Sequence, residues 1–268
     1  MMSDRNMLSG AELEQLMDRL ETDLEEGGSA EEIDLLARLR AHPLRADSME
    51  SIDRLHTLWM IAGDPVAARA VINNDGAALL QAAGPDAQAE IEMLLVFQRL
   101  NIAEYLEEED AICNELSRMR TIVTENPGFD VSLYDQLPIF DRLEEGRLDV
   151  ALETVALCHA LDLAMEDRAA FRAWDEANHQ YRRALAFKRH GCDDQARMAA
   201  TAAMGAFQMA LSGQDVDAND WLYLGDMLVE IAPEQLGAFR QKVMVMAAEC
   251  PLEQRREIEA KLARFTLN

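Results

Sequence analysis

LEEGRLDVALETVALCHALDL, residues 143–163, decides how the rest of the chain is read. Gly146 stands where one helical pattern stops and the next begins. Glycine lacks a Cβ, so it takes the left-handed conformation that ends a helix at little cost. From Leu148 onward, Ala151, Val155 and Cys158 recur at three- and four-residue intervals, which is one face of a helix. The small Ala151, one turn in, lets this helix approach the one before it. The same punctuation occurs twice more: Gly63 precedes Ala68 in GDPVAARAV, and Gly191 precedes Ala196 in GCDDQARMAA.

Working outward from this stretch, the C-terminal half predicts helices over 131–144, 148–163, 167–190, 193–211, 217–231, 234–249 and 252–265. Glu145-Gly146-Arg147, His190-Gly191-Cys192, Ser212-Gly213-Gln214, Ala232-Pro233 and Cys250-Pro251 join them. Connections this short make neighbouring helices antiparallel. In the N-terminal half, Ser9 and Ser29 open helices with a Glu three residues on, each able to form a reciprocal cap, and Pro43 closes the second. A helix from Ser48 to Ala62 leads to the Gly63-Asp64-Pro65 turn, where proline suits the first turn of the following helix. Residues 86–125 read as two long helices or one broken one. Asn126-Pro127-Gly128 is the firmest break, dividing an N-terminal region, 1–126, from a C-terminal region, 127–268, unless the two form one continuous array.

In residues 143–163, Gly146, Leu148, Ala151, Val155 and Cys158 stand where the tetratricopeptide repeat family has its Gly, large apolar, Ala, large apolar and small residue. Trp221-Leu222-Tyr223-Leu224-Gly225 is similar to that family's Trp-x-x-Leu-Gly, with Pro251 near the closing proline. The resemblance implies an all-α fold of antiparallel hairpins stacked as a degenerate solenoid. The matching turns lie 83 and then 45 residues apart rather than at multiples of the family's period, so an irregular helical bundle is the alternative.

Composition agrees with helix. Of 268 residues, 49% are apolar but only 6% aromatic, and Ala, Leu and Met, which lose little rotamer freedom in a helix, are abundant. The formal charge of −25 opposes direct contact with nucleic acid or an anionic membrane and would attract a basic protein. Lys188, Lys242 and Lys261 are the only lysines, so arginine carries the positive charge and supplies fork-shaped donors for carboxylates on neighbouring helices. Cys113, Cys158, Cys192 and Cys250 are far apart and are expected as reduced, buried thiols. No positive segment precedes an apolar one in MMSDRNMLSG, and no run approaches eighteen apolar residues, so the expected location is the cytoplasm.

Motifs for catalysis are missing. No phosphate loop, nucleophile elbow or His-Glu-x-x-His is present. Glu176-Ala177-Asn178-His179 puts a carboxylate and an imidazole on one helix face, but a bundle metal site needs two such pairs and further carboxylates. His190 and Cys192 lack an orienting third group, and His190 reads as a helix-end histidine. His42, His56 and His159 have no partner at ligand spacing. Neither a metal nor a cofactor is expected.

What remains is acidic surface. Glu104, Tyr105, Glu107, Glu108, Glu109 and Asp110 form the densest cluster and read either as a solvated helix turn or as a docking patch for Arg or Lys. Asp215, Asp217 and Asp220, and Glu21, Asp23, Glu25 and Glu26, could extend it. Trp59, Trp174, Trp221, Tyr134, Phe140 and Tyr181 are expected in the core; an exposed aromatic beside acidic residues would be an anchor. The function expected is a non-catalytic, acidic protein-binding module. In its sharpest form it is an immunity-type antagonist of a basic toxin or effector. The alternatives are a chaperone or adaptor for a secreted protein, a self-assembling scaffold forming a homo-oligomer, and an enzyme with an unrecognised carboxylate site.

Overall fold

The computed structural model describes residues 36–37, 39–40, 46–127, 129, 146–165, 172–212, 225, 227–248, 251–263 and 265. Among them every regular element is helical and no strand occurs. The chain divides into two compact units, Met1–Phe129 and Asp130–Asn268. The helices expected from Ser9 and Ser29 lie almost wholly outside the described residues. So do the one expected over 131–144, the Trp221-Leu222-Tyr223-Leu224 motif, Tyr134, Phe140 and Cys250.

In the first unit, Ser48 and Ser51 cap α1 (Met49–Ile61) reciprocally, each hydroxyl accepting from the other's amide. Gly63 (φ +67°) ends it, with its own amide bonded to the Met60 carbonyl at 3.0 Å and the Asp64 amide to the Trp59 carbonyl at 2.8 Å. Pro65 opens α2 (Pro65–Val71), whose free Ala67 amide donates to the Asp64 carboxylate at 3.0 Å. A π-helical turn, Ile72–Gly76, continues α2 into α3 (Ala77–Ala82), a feature the sequence reading did not foresee. A Cβ on Gly76 would lie 2.5 Å from Leu95 Cδ2, so this turn rests its backbone on α4 (Pro85–Tyr105).

Residues 86–125 resolve into two helices, α4 and α5 (Glu109–Glu125). Arg99 Nε lies 3.0 and 3.1 Å from the two Glu115 oxygens, and Arg118 Nε lies 2.7 Å from Glu92. One pair runs forward along α4 as the other runs back along α5, which fixes them as antiparallel. Ile52, Leu55, Leu58 and Trp59 of α1 pack with Val71, Ile72, Ile91, Leu95 and Ile102 in one buried cluster. Each large side chain so buried contributes about 1.5–3 kcal/mol.

In the second unit, α6 (Leu148–Ala164), α7 (Arg172–Arg189) and α8 (Asp193–Ser212) follow glycine turns at Gly146 (φ +90°) and, between α7 and α8, Gly191 (φ +70°). His190 does act at a helix end: Nδ1 lies 2.8 Å from the Ala186 carbonyl and Nε2 lies 3.0 Å from that of Gly146. The seam between α7 and α8 is made of alanine. Ala177 and Ala184 on one helix and Ala199, Ala200, Ala203 and Ala206 on the other are all buried. Trp174 is half-buried rather than fully core, with its ring edge-on to Phe207 at 5.3 Å. The stretch expected as helix over 234–249 opens with a 3-10 turn, Pro233–Gln235, before α9 (Leu236–Ala247); α10 (Leu252–Leu262) follows. Of the thiols, Cys158 is buried as expected, but Cys113 and Cys192 are only partly so.

Two glycines show opposite logic. A Cβ on Gly225 would meet ring atoms of Phe239 and Phe265 at 2.7 Å. Gly205, in the middle of α8, is exposed, with no neighbouring side chain among the described residues within 4 Å of where its Cβ would sit. Gly225→Ala should therefore lower stability by roughly 1–3 kcal/mol. Gly205→Ala should raise it by about 1 kcal/mol. Urea denaturation midpoints of the two variants should move in opposite directions.

Candidate functional site

The acidic run chosen from sequence is the turn between α4 and α5. Leu106, Glu107 and Glu108 reverse the chain, and Glu109 and Asp110 begin α5, where the positive end of the helix dipole favours carboxylates. The turn repeats the hydrogen bonding found at Gly63: the Glu107 amide donates to the Glu104 carbonyl at 3.0 Å and the Glu108 amide to that of Ala103 at 2.8 Å. The pivot residue here is not glycine. Glu107 holds φ +56° and is the one non-glycine residue with positive φ among the described residues. Left-handed backbone costs an L-residue about 1–2 kcal/mol.

Two turns meet at this end of the unit. A Cβ on Gly63 would lie 3.7 Å from the Tyr105 hydroxyl, and Arg69 of α2 reaches Glu108 at 2.6 Å. Around them stand exposed apolar groups: Val66 is 77% accessible, Tyr105 55% and Leu106 39%. Tyr105 thus has the character set out for an anchor, an exposed aromatic among carboxylates. Glu107 and Asp110 are exposed as well, while Glu104, Glu108 and Glu109 are half-buried. Asp215, Asp217 and Asp220, like Glu21, Asp23, Glu25 and Glu26, lie outside the described residues.

Val66 and Asp64 also edge an open groove of about 890 Å³. Trp59 of α1, Ala70 and Val71 of α2, Asn74 and Asp75 of the π-helical turn and Gln81 of α3 line it. Arg40 stands at its rim, 5.9 Å over the Trp59 ring and 2.7 Å from the Asp64 carboxylate. The amide of Ala67 and the Arg40 guanidinium hold the Asp64 carboxyl below its usual range, so it stays ionised. The groove is therefore of mixed character, with Asn74, Asp75 and Gln81 beside Val66 and Ala70 and fixed negative charge at its edge, a setting already able to hold one guanidinium against an aromatic face.

A second cluster lies in the other unit. The rings of His159 and His179 stack at 4.2 Å with 20° between their planes, and His159 Nε2 lies 3.5 Å from Glu176. Spacing along the chain gave no sign of this meeting, because it needs α6 and α7 packed side by side. No group of three or more His, Cys, Asp or Glu among the described residues is arranged to hold a metal ion. Burial, and then the neighbouring His159 and Arg183, push His179 down to about 4 against the pull of Glu176. In the first unit, burial also pushes His56, 3% accessible, down to about 4.

The chain matches no family model, no curated protein and no solved structure. Among the described residues no helix is long and apolar enough to cross a membrane.

The two histidines give the fold an acid sensitivity whose sign is fixed. Each is neutral when folded and takes up a proton near pH 6.5 when unfolded, so the stability they confer is present above pH 6.5 and declines toward pH 4. Asp53, raised by burial, acts in the opposite direction, but nearer its ordinary value of 3.8. His56 alone should contribute a loss of about 2 kcal/mol between pH 7 and pH 5. Urea titrations at the two pH values should show this loss, and His56→Met should reduce it.

Proposed function

We propose that this chain is a non-catalytic, acidic protein-binding module, and that the α4–α5 turn with the adjoining groove takes a basic segment of another protein. The observation that carries the reading is Glu107. A glycine would relieve its backbone, yet a carboxylate stands there, at the tip of an acidic turn between exposed Tyr105 and Val66. The helix-ending hydrogen bonds call for a left-handed residue here, and a glutamate in place of glycine adds a carboxylate to an exposed, charged and partly apolar surface. The charge of −25 adds long-range attraction for a basic partner.

Within this class the sharpest form is an immunity-type antagonist that occludes a basic toxin or effector. The small residues one turn after each glycine, Ala68, Ala151 and Ala196, are all buried, which supports reading the hairpins as a degenerate tetratricopeptide-like array. The exposed Val66 and Ala70 at the edge of the groove favour a second form, a chaperone for a secreted client whose apolar side chains would rest on α2.

The test is capture from native cell lysate on the immobilised full chain, at low and moderate salt, beside Tyr105→Ala and Glu107→Gly. The expected result is one basic protein in equimolar amount, released as salt screens the contact. Tyr105→Ala should weaken it about tenfold or more. Glu107→Gly should weaken it while raising the stability of the fold by about 0.5–1 kcal/mol. An antagonist abolishes its partner's activity at a one-to-one ratio; a chaperone raises the partner's solubility and leaves its activity intact. Equal capture by all three chains would overturn the assignment of the surface, and capture of no basic protein would overturn the function.

A further inference from the structure

Helix α8 is inverted in its packing. Its buried face is alanine with Phe207, while Met198 and Met209 point outward at 74% and 67% accessibility. Ala202 and Gly205 lie between them on the same exposed face. Among the described residues nothing lies within 4 Å of where a Gly205 Cβ would sit, and glycine in a helix interior costs about 1 kcal/mol relative to alanine. A missing side chain on an exposed face is of use to something that approaches from outside.

The spacing identifies what approaches. Met198, Ala202, Gly205 and Met209 are separated by four, three and four residues, the same order of gaps from either end. An identical helix laid antiparallel across this face would set Met198 against the partner's Met209 and Ala202 against the partner's Gly205, two small residues at the crossing and a methionine at each side. That is the self-complementarity a two-fold contact needs. Charge points the same way. Two chains of −25 repel, so they can meet only where carboxylates are absent, and residues 198–212 carry no charge at all. Arg197, at the edge of this face, is paired with Asp194.

We infer that the outer face of α8 is a homodimer contact, formed by antiparallel pairing with the same helix of a second copy. One helix pair covers less than the roughly 800 Å² per partner of a standard stable interface, so the dimer is reversible and depends on concentration. Salt acts on it in the opposite sense from docking of a basic protein. Screening relieves the repulsion between two acidic copies and strengthens the dimer.

Sedimentation equilibrium of the full chain over a concentration series, at low and at moderate salt, reads this directly. The expected mass rises from 30.0 kDa toward twice that value, and does so at lower concentration when salt is added. Met198→Glu with Met209→Glu, both on exposed positions, should leave helix content unchanged and raise the dissociation constant at least tenfold. Register is tested by mixing chains carrying Met198→Cys with chains carrying Met209→Cys under mild oxidation, the linked peptides being identified by mass. The mixed 198–209 disulfide should form, and 198–198 should not, because an antiparallel pair holds those positions about 16 Å apart at 1.5 Å per residue. A chain that stays at 30.0 kDa at several hundred micromolar overturns the inference, as does a charged variant that dimerises as well as the parent. Preferential 198–198 linkage overturns the antiparallel pairing.

Discussion

A helix that ends must satisfy its last carbonyls and turn the chain, and one pair of backbone hydrogen bonds does both at Gly63, Glu107 and Gly191. At each, the amide of the left-handed residue and the amide after it reach back three and five residues. The chain then leaves at an angle that lets the next helix pack against the last. In the first unit this places the end of α1 beside the end of α4, and only there do Tyr105, Val66 and the Arg69–Glu108 pair come together. The candidate site is thus a product of helix termination more than of any helix face.

Where the pivot is glycine, this geometry is readable in the sequence. Gly63, Gly146 and Gly191 gave the turns, and the helices beginning at Met49, Leu148 and Asp193 follow within a residue of where capping and apolar period set them. Where the pivot is Glu107, composition shows only a charged run, because nothing in the identity of a glutamate reports a positive φ. The π-helical turn was hidden for a similar reason: Ile72–Gly76 differs from an α-helix by one hydrogen-bond step, which Asn73, Asn74 and Asp75 do not specify. The stacked His159 and His179 lie on different helices, and their contact depends on how α6 and α7 lie together. Local chemistry writes the ends of helices plainly and the meetings between them poorly.

The two surfaces singled out answer to different physics. The α4–α5 turn concentrates carboxylates on a strained backbone and is suited to a cationic visitor. From Met198 onward the outer face of α8 carries no charge, in a chain of which 28% of residues are charged. Its inner face explains how methionine came to lie outside: alanine on both sides of the α7–α8 seam lets the backbones approach closely and leaves no room there for a longer side chain.

Asp64 occupies three structural roles with one carboxylate. It caps α2 through the Ala67 amide, holds the Arg40 guanidinium over Trp59 and forms the edge of the groove. Substitutions at Arg40, Trp59, Val66 and Ala67 therefore share a common term, and their effects will not add. A sequence drifting under selection cannot change the recognition properties of this groove independently of the start of α2. Asp64 is thus a point of epistasis, where the history of the fold and the history of its binding surface are tied to one side chain.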